Sequence, residues 1–339
     1  MTTAELAAEI GISRVTLSKY LNGRGGVSEE TAQRIEKHIQ QSNFAPNSSA
    51  RHLAGKKEPI IGFFSLYTTV AEGESRISSH FSTEFTNCFL VAAKTHGYKV
   101  LVSISSQEEV VGEVARFFSS GLIRGAVLFG YENGTELRYS ADCPMVLINQ
   151  EETIPGPGVS LVNMADEESA AFAFEELLSK GHRRFLYIGS ALKRLPSMRR
   201  RRGVLSAYER SKALVESFDT FDADFSEDIS YRKTLGFYQG RKDYPTAVIA
   251  ANDLSAIGAI RALGTLGIRV PEDVSVIGFD DISVSSYFNP PLTTFSDNTP
   301  LLAGKTMEEM LALFQGSGGR DIEVPMEYKS RGSLAEAGI

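Results

Sequence analysis

From Pro59 onward, short apolar runs alternate with segments of helical spacing, and no other feature limits the fold as much. IIGFFSL, KVLVSIS, GAVLFG, PMVLINQ, RFLYIGS, TAVIAAN and VSVIGFD read as strands. Between them lie helical segments such as STEFTNCFLVAAKTHGY, EEVVGEVARFFSSGL, DEESAAFAFEELLSKGH, GVLSAYERSKALV and LSAIGAIRALGTLG. Near-continuous apolar strands are buried on both faces, which happens when helices cover both sides of a parallel sheet. There are too many units for one sheet, so two α/β subdomains are expected. The late helix TPLLAGKTMEEMLALFQG need not stay with its sequence neighbours. The expected division puts 59–181 and 299–316 in a first subdomain, and 182–298 and 317–339 in a second. Ligands in open α/β sheets sit at the carboxyl ends of strands, so the natural site is the cleft between subdomains.

Ahead of this core, Thr3 to Asn22 reads as two short helices joined by a tight turn. Leu6, Ala7 and Ile10 form one apolar stripe, and Gly11 permits the turn. Ser13 can cap a second helix in which Leu17 and Leu21 face inward, leaving Arg14, Val15, Ser18 and Lys19 outside. A helix-turn-helix has this pattern, and its second helix enters the DNA major groove, although any two-helix hairpin shows it too. After a glycine-bearing loop, Ser28 can cap a third helix with Glu29 and Glu30 in its first turn. Residues 1–45 thus make one small domain, and the polar, basic stretch 46–58 a linker with helical potential. The net charge of −7 is unfavourable for a DNA-binding protein, but residues 11–28 hold Arg14, Lys19 and Arg24 and no acid. Charges are screened beyond about 8–10 Å at physiological salt, so the local balance governs phosphate attraction.

Other function classes find little support. Cys88 and Cys143 form neither a disulfide framework nor a metal site, and read as thiols of a reducing cytoplasm. No signal peptide or membrane-spanning run is seen, so the cytoplasm is the expected location, with no membrane partner. There is no P-loop, no G-x-G-x-x-G after a first strand, no nucleophile elbow and no metal-ligand cluster. No enzyme activity, cofactor or metal is expected. His182, in KGHRR, reads as structural. The acid-rich SFDTFDADFSEDISYR lacks the glycine of an EF-hand loop and reads as a solvated loop.

Four stretches carry a resemblance. They are ELAAEIGISRVTLSKYLNG, VSEETAQRIEKHIQQSNFAPNSSARHLAG, KGHRRFLYIG, and NDLSAIGAIRALGTLGIRVPEDVSVIGFDD followed by NPPLTTF. In this order, and over nearly the whole chain, they resemble the lactose-repressor (LacI/GalR) family of bacterial transcription regulators. The resemblance implies a helix-turn-helix headpiece, a hinge helix and a two-subdomain core with parallel sheets, like a periplasmic sugar-binding protein. It also implies a homodimeric repressor on double-stranded DNA at a palindromic operator, controlled by a small effector, a sugar or sugar derivative, in the cleft. The competing expectation, a sugar-binding protein with no DNA role, leaves residues 1–58 without a use.

Position by position, the resemblance puts Arg14, Val15 and Lys19 at base-reading positions, and Thr16 and Ser18 where the helix is steadied on phosphates. Ser13, Asn22, Asn47, Ala50 and Leu53 complete the DNA-facing set. Leu53 matches a hinge residue that wedges between base pairs, with Ala50 packing on the partner's hinge. Lys19 stands where the family usually has arginine and lacks the planar two-donor fork. In the cleft, Arg200 matches an effector-clamping arginine and Asp280 an acid that binds hydroxyls. Asn252 and Asp253 match a pair at a strand end, Tyr231 a stacking aromatic, and His80 with Phe81 a pocket wall, while Asp253 reads equally as a helix cap and His80 more readily as a surface loop residue. Of the run Arg199 to Arg202, one side chain is expected in the cleft and the others in solvent. An anionic effector held by two of them is the sharper alternative.

Overall fold

The computed structural model describes residues 3–21, 26–42, 59–66, 68–69, 75–76, 80–130, 143–150, 158–191 and 195–338. The first three helices are α1 (Thr3–Ile10), α2 (Arg14–Leu21) and α3 (Glu29–Ser42). Leu6, Ala7, Ile10, Leu17 and Ile35 form their shared core, so the stripe read from the sequence is the buried one. Gly11 takes φ +75°, a left-handed turn residue that ends α1. Arg34 of α3 donates to the Ile10 carbonyl at 2.6 Å and ties the third helix to that end.

The apolar runs then build the first lobe. Its strands and helices are β1 (Ile60–Leu66), the short antiparallel pair β2 (Thr68–Thr69) and β3 (Ser75–Arg76), α4 (His80–Thr95), β4 (Lys99–Ser105), α5 (Val110–Ser119), β5 (Gly125–Phe129), β6 (Met145–Ile148) and β7 (Val159–Met164). Two later segments, α10 (Thr299–Phe314) and β13 (Asp321–Val324), return to it. The parallel sheet has the order β13-β7-β6-β5-β1-β4. Successive residues face opposite sides. Phe63 packs with Phe85 and Phe89 of α4 and Met307 of α10, while Phe64 packs with Val110 and Val114 of α5.

The second lobe comprises α6 (Asp166–Ser179), β8 (Arg184–Gly189), α7 (Leu195–Ser211), β9 (Ser217–Asp222), α8 (Glu227–Tyr238), β10 (Ala247–Ala250), α9 (Asp253–Thr265) and β11 (Ser275–Ile277). Its parallel sheet runs β11-β10-β8-β9. β12 (Thr294–Ser296) continues from β11 through isolated parallel bridges and pairs antiparallel with β14 (Glu327–Lys329). On one face α7 lies so close to α6 that a Cβ at Gly203 would stand 2.1 Å from the Glu167 carbonyl oxygen. On the other, Gly258 of α9 meets Glu227 of α8 in the same way, at 2.3 Å.

Three expectations are corrected. The helix over 166–179 does not belong with the first lobe: Ala170, Ala173, Phe174 and Leu177 bury against Phe185 and Tyr187 of the second. Residues 321–324 do not belong with the second: β13 pairs with β7, and Val324 completes the first core. The chain therefore crosses between lobes near 165, 297–298 and 325–326, wherever the next apolar residues complete the other sheet. The acid-rich segment is not a loop. Its first part is edge strand β9, where one side faces solvent and tolerates charge, and its second part begins α8.

Candidate functional site

On α2 the chain presents its polar face because of where the helix starts. Ser13 is the N-cap: the Thr16 backbone N–H donates to Ser13 Oγ at 3.0 Å, and the two hydroxyls lie 2.8 Å apart. With that start, Leu17 turns into the core and Arg14, Val15, Ser18 and Lys19 turn out. Val15 is 65% exposed, an apolar branched side chain in solvent. Such a side chain fits against a thymine methyl, and its basic neighbours match guanine acceptors or phosphates. Thr16 is half-buried, with its hydroxyl against the cap. Asn22, Asn47, Ala50 and Leu53 lie outside the described residues, as does the hinge segment.

The crossings orient the two lobes. β7 and β13 leave the first sheet at their carboxyl ends, and β12, parallel to β11, leaves the second at its own. The carboxyl ends of both parallel sheets therefore face the interlobe cleft. Among the described residues, six other than glycine take left-handed backbone there: Asn149 after β6, Asp224 and Phe225 after β9, Asp280 and Asp281 after β11, and Asn298 after β12. Such residues cost of order 1 kcal/mol or more each and persist where surrounding structure holds them, which is common at ligand sites.

At the centre is Arg200, 4% exposed on α7. It donates to Asp166 Oδ1 at 2.7 Å, Asp280 Oδ1 at 2.8 Å and the Ala251 carbonyl at 2.7 Å, with Asp297 Oδ1 at 3.4 Å. Its guanidinium lies 4.8 Å above the Phe279 ring. Burial alone lowers its pKa, but the charges of Asp166, Asp280 and Asp297 outweigh burial and hold it above the ordinary value. One cation thus serves three carboxylates. Burial pushes the Asp297 carboxyl well above the usual range, Asp280 adds to this and Arg200 opposes it. Asp280 is the most open of the three.

The structure brings Arg200, Asp280 and Asn252 to one end of the second lobe. Asn252 caps α9, accepting from the Ser255 N–H at 2.9 Å. Phe81 stands across the cleft against Phe129, the last residue of β5, at 5.6 Å between ring centroids. His80 begins α4, but its side chain is outside the described residues.

Two site assignments are corrected. Asp253 is fully buried, and its carboxylate accepts from the Ile282 N–H at 3.0 Å and from the Ser285 and Thr294 hydroxyls, each at 2.6 Å. Its oxygens are committed to holding the 282–294 segment. Burial, then the Asp280 charge, push its pKa up to about 7. Tyr231 is a full turn inside α8, its ring beneath Arg261 and its hydroxyl 3.4 Å from Thr265 near the far end of α9. Phe225, in the left-handed turn just before the N-cap Ser226, is the aromatic at that strand end. Within the arginine run Arg199 departs from expectation, its side chain only 10% exposed where those of Arg201 and Arg202 are 34% and 44% exposed. Arg199 meets Glu323, Arg201 meets Asp222 and Arg202 meets Glu167, so each of the four faces a carboxylate and none is offered unneutralised to an anion. Sequence reasoning missed Asp166, Asp297 and Phe225. An aromatic directly before a cap and an acid one or two residues after a strand were the available signals.

A helix-turn-helix family model matches residues 1–42, and a model of the periplasmic binding protein-like domain matches residues 174–334. The lactose operon repressor of Escherichia coli (strain K12) is 26% identical over 325 residues, 93% of this chain and 85% of the relative. The probable HTH-type transcriptional repressor ExuR of Bacillus subtilis (strain 168) is 26% identical over 338 residues, 92% and 91% of the two chains. The crystal structure of the lac repressor dimer bound to operator and the anti-inducer ONPF superposes with TM-score 0.80 at 23% identity, covering 99% of both chains. The transcriptional regulator CelR–cellobiose complex gives TM-score 0.69 at 22% identity, covering 98% of this chain and 99% of that one. With a helix-turn-helix ahead of a two-lobed binding core, and repressor relatives along nine-tenths of its length, the chain is similar throughout to the LacI/GalR family of transcription regulators.

Proposed function

We propose that the protein is a sequence-specific DNA-binding repressor that acts as a homodimer on a palindromic operator and is switched by a small polyhydroxylated effector between its lobes. The observation that carries this is the α2 surface: a capped helix with exposed Arg14, Val15 and Lys19, free of acids over residues 11–28. Dimerisation fits the apolar side chains left exposed on the first lobe, Leu90 and Val91 of α4 with Val102 and Ile104 of edge strand β4. Alternating donors and acceptors around Arg200, Asp280 and Asn252, with Phe225 and Phe81 as ring surfaces, suit hydroxyls and a sugar face. The hinge over 46–58, with Leu53 as wedge, belongs to this reading. Selection from random double-stranded DNA tests it, followed by titration of the recovered sites at several salt concentrations. A palindromic site is expected, with Arg14→Ala losing about 1–3 kcal/mol of discrimination at one position of each half-site. Recovery of no preferred sequence rejects the proposal.

A further inference from the structure

Two adjacent arginines of α7 reach all three interlobe connections. Arg200 binds Asp166, just past the first crossing, and Asp297, on the second. Arg199 reaches back to the first lobe: its Nη1 donates to Glu323 Oε1 at 2.7 Å, beside the third crossing, and lies 3.3 Å from the Met164 carbonyl at the end of β7. The first and third connections are themselves joined, with the Ala165 N–H donating to the Val324 carbonyl at 2.9 Å. The two arginines differ in how firmly they are held. Arg200 and its carboxylates are almost wholly buried except at Asp280, so its contacts stay with the second lobe and the connections. The Arg199 side chain is 10% exposed but its partner Glu323 is 58% exposed, on an edge strand of the other lobe. A carboxylate that keeps its water can leave the pair when the lobes turn, whereas a buried one cannot without large cost.

We propose that the Arg199–Glu323 ion pair is a latch across the lobes that fixes their resting angle, with Arg200 as the pivot beside it. Breaking the pair frees the first lobe to rotate while the Arg200 cluster keeps the connections in place. Glu323 is thereby a positioning residue: it acts through Arg199 on the angle that an effector has to change. The regulatory consequence rests on the effector-switched reading above, but the latch is tested without DNA or effector, so the two fail separately.

Pulsed electron paramagnetic resonance on the full chain measures the interlobe distance. Spin labels are placed at Glu308→Cys on α10 and Arg232→Cys on α8, exposed positions on opposite lobes, in a Cys88→Ser background diluted with unlabelled chain. Glu323→Gln is expected to lose the narrow distance of the parent chain and gain a second, displaced population. Arg199→Met should do the same, and the double variant should match Arg199→Met, because without Arg199 the residue at 323 has no ion-pair partner left to lose. Because Glu323 is largely exposed, its variant tests the latch even if Arg199→Met folds poorly. Glu323→Gln distances that superpose on those of the parent chain overturn the proposal, as do shifts that add in the double variant. A lowered melting temperature with unchanged distances assigns the pair to stability alone and overturns it too.

Discussion

On α2 the side chains that matter lie within two turns of helix and point to solvent; around Arg200 they come from α6, α7 and the ends of β11 and β12, and point at one another. The first arrangement needs only a cap, a turn and one apolar stripe. The second exists only once two sheets, three crossings and the close approach at Gly203 are in place. A change on α2 should therefore alter recognition and leave the core untouched. A change in the cluster should show first in stability, with any effect on regulation behind it.

The largest expected effect is at Arg200. Arg200→Met removes the one cation shared by Asp166, Asp280 and Asp297 and leaves buried carboxylates unpaired. Breaking a buried pair costs about 3–5 kcal/mol, so denaturant unfolding of the core should shift by that amount or more. Arg14→Ala should leave the same transition within about 0.5 kcal/mol of the parent chain. An Arg200→Met core as stable as the parent erases the contrast between the two regions and returns Arg200 to a purely ligand-facing role.

The same contrast explains what the sequence revealed. Seven of the ten strands described in the two parallel sheets were legible as apolar runs, while the polar residues inside β7 (Ser160, Asn163) and β13 (Asp321, Glu323) hid those two. Strand β9 was not legible either: Phe218 and Phe221 alternate with Asp219 and Asp222, a pattern its edge position permits and a loop imitates. The lobe boundaries failed because a crossing is decided by which sheet accepts the next strand. Val324 looks the same in either core. Arg200 and Asp280 were found by their place in a motif, and Asp253 was drawn in with them. A buried acid holding a turn and an acid lining a cleft are one letter at one kind of position, and only the three hydrogen bonds on Asp253 separate them. Tyr231 matches a motif position and Phe225 does not, and spacing says nothing about where α8 begins.

Asp253 supplies the next test. Burial and Asp280 raise its pKa from 3.8 to about 7, so the folded chain holds this proton more tightly than the unfolded one. Its contribution to stability is fully present below pH 3.8 and is lost as the pH rises to about 7, with a slope of up to about 1.4 kcal/mol per pH unit. Buried His182, its pKa lowered by burial, acts in the opposite sense just below its ordinary 6.5. The informative quantity is thus the difference between the parent chain and Asp253→Asn. The lost acceptor strength adds a constant offset, whereas the proton adds a slope between pH 4 and 7. A difference that stays flat across that window means that Asp253 is ionised throughout and that the carboxylates around Arg200 do not crowd one another.

The smallest effect probes the other region. Ser13→Ala removes the oxygen that accepts the Thr16 N–H and should cost about 1 kcal/mol of helix stability. Amide exchange in α2 of the full chain should quicken, and affinity for the selected operator should fall by a similar factor. Base preference should not move, because a frayed α2 presents Arg14, Val15 and Lys19 less often but unchanged when formed. The core transition should not move either, since among the described residues Ser13 bonds only with α2. A changed base preference assigns Ser13, which the resemblance puts in the DNA-facing set, a direct contact with a base beyond its cap bond. In that case even the locally built surface spends one side chain on both folding and reading, and the division between the two regions is less clean than their geometry makes it.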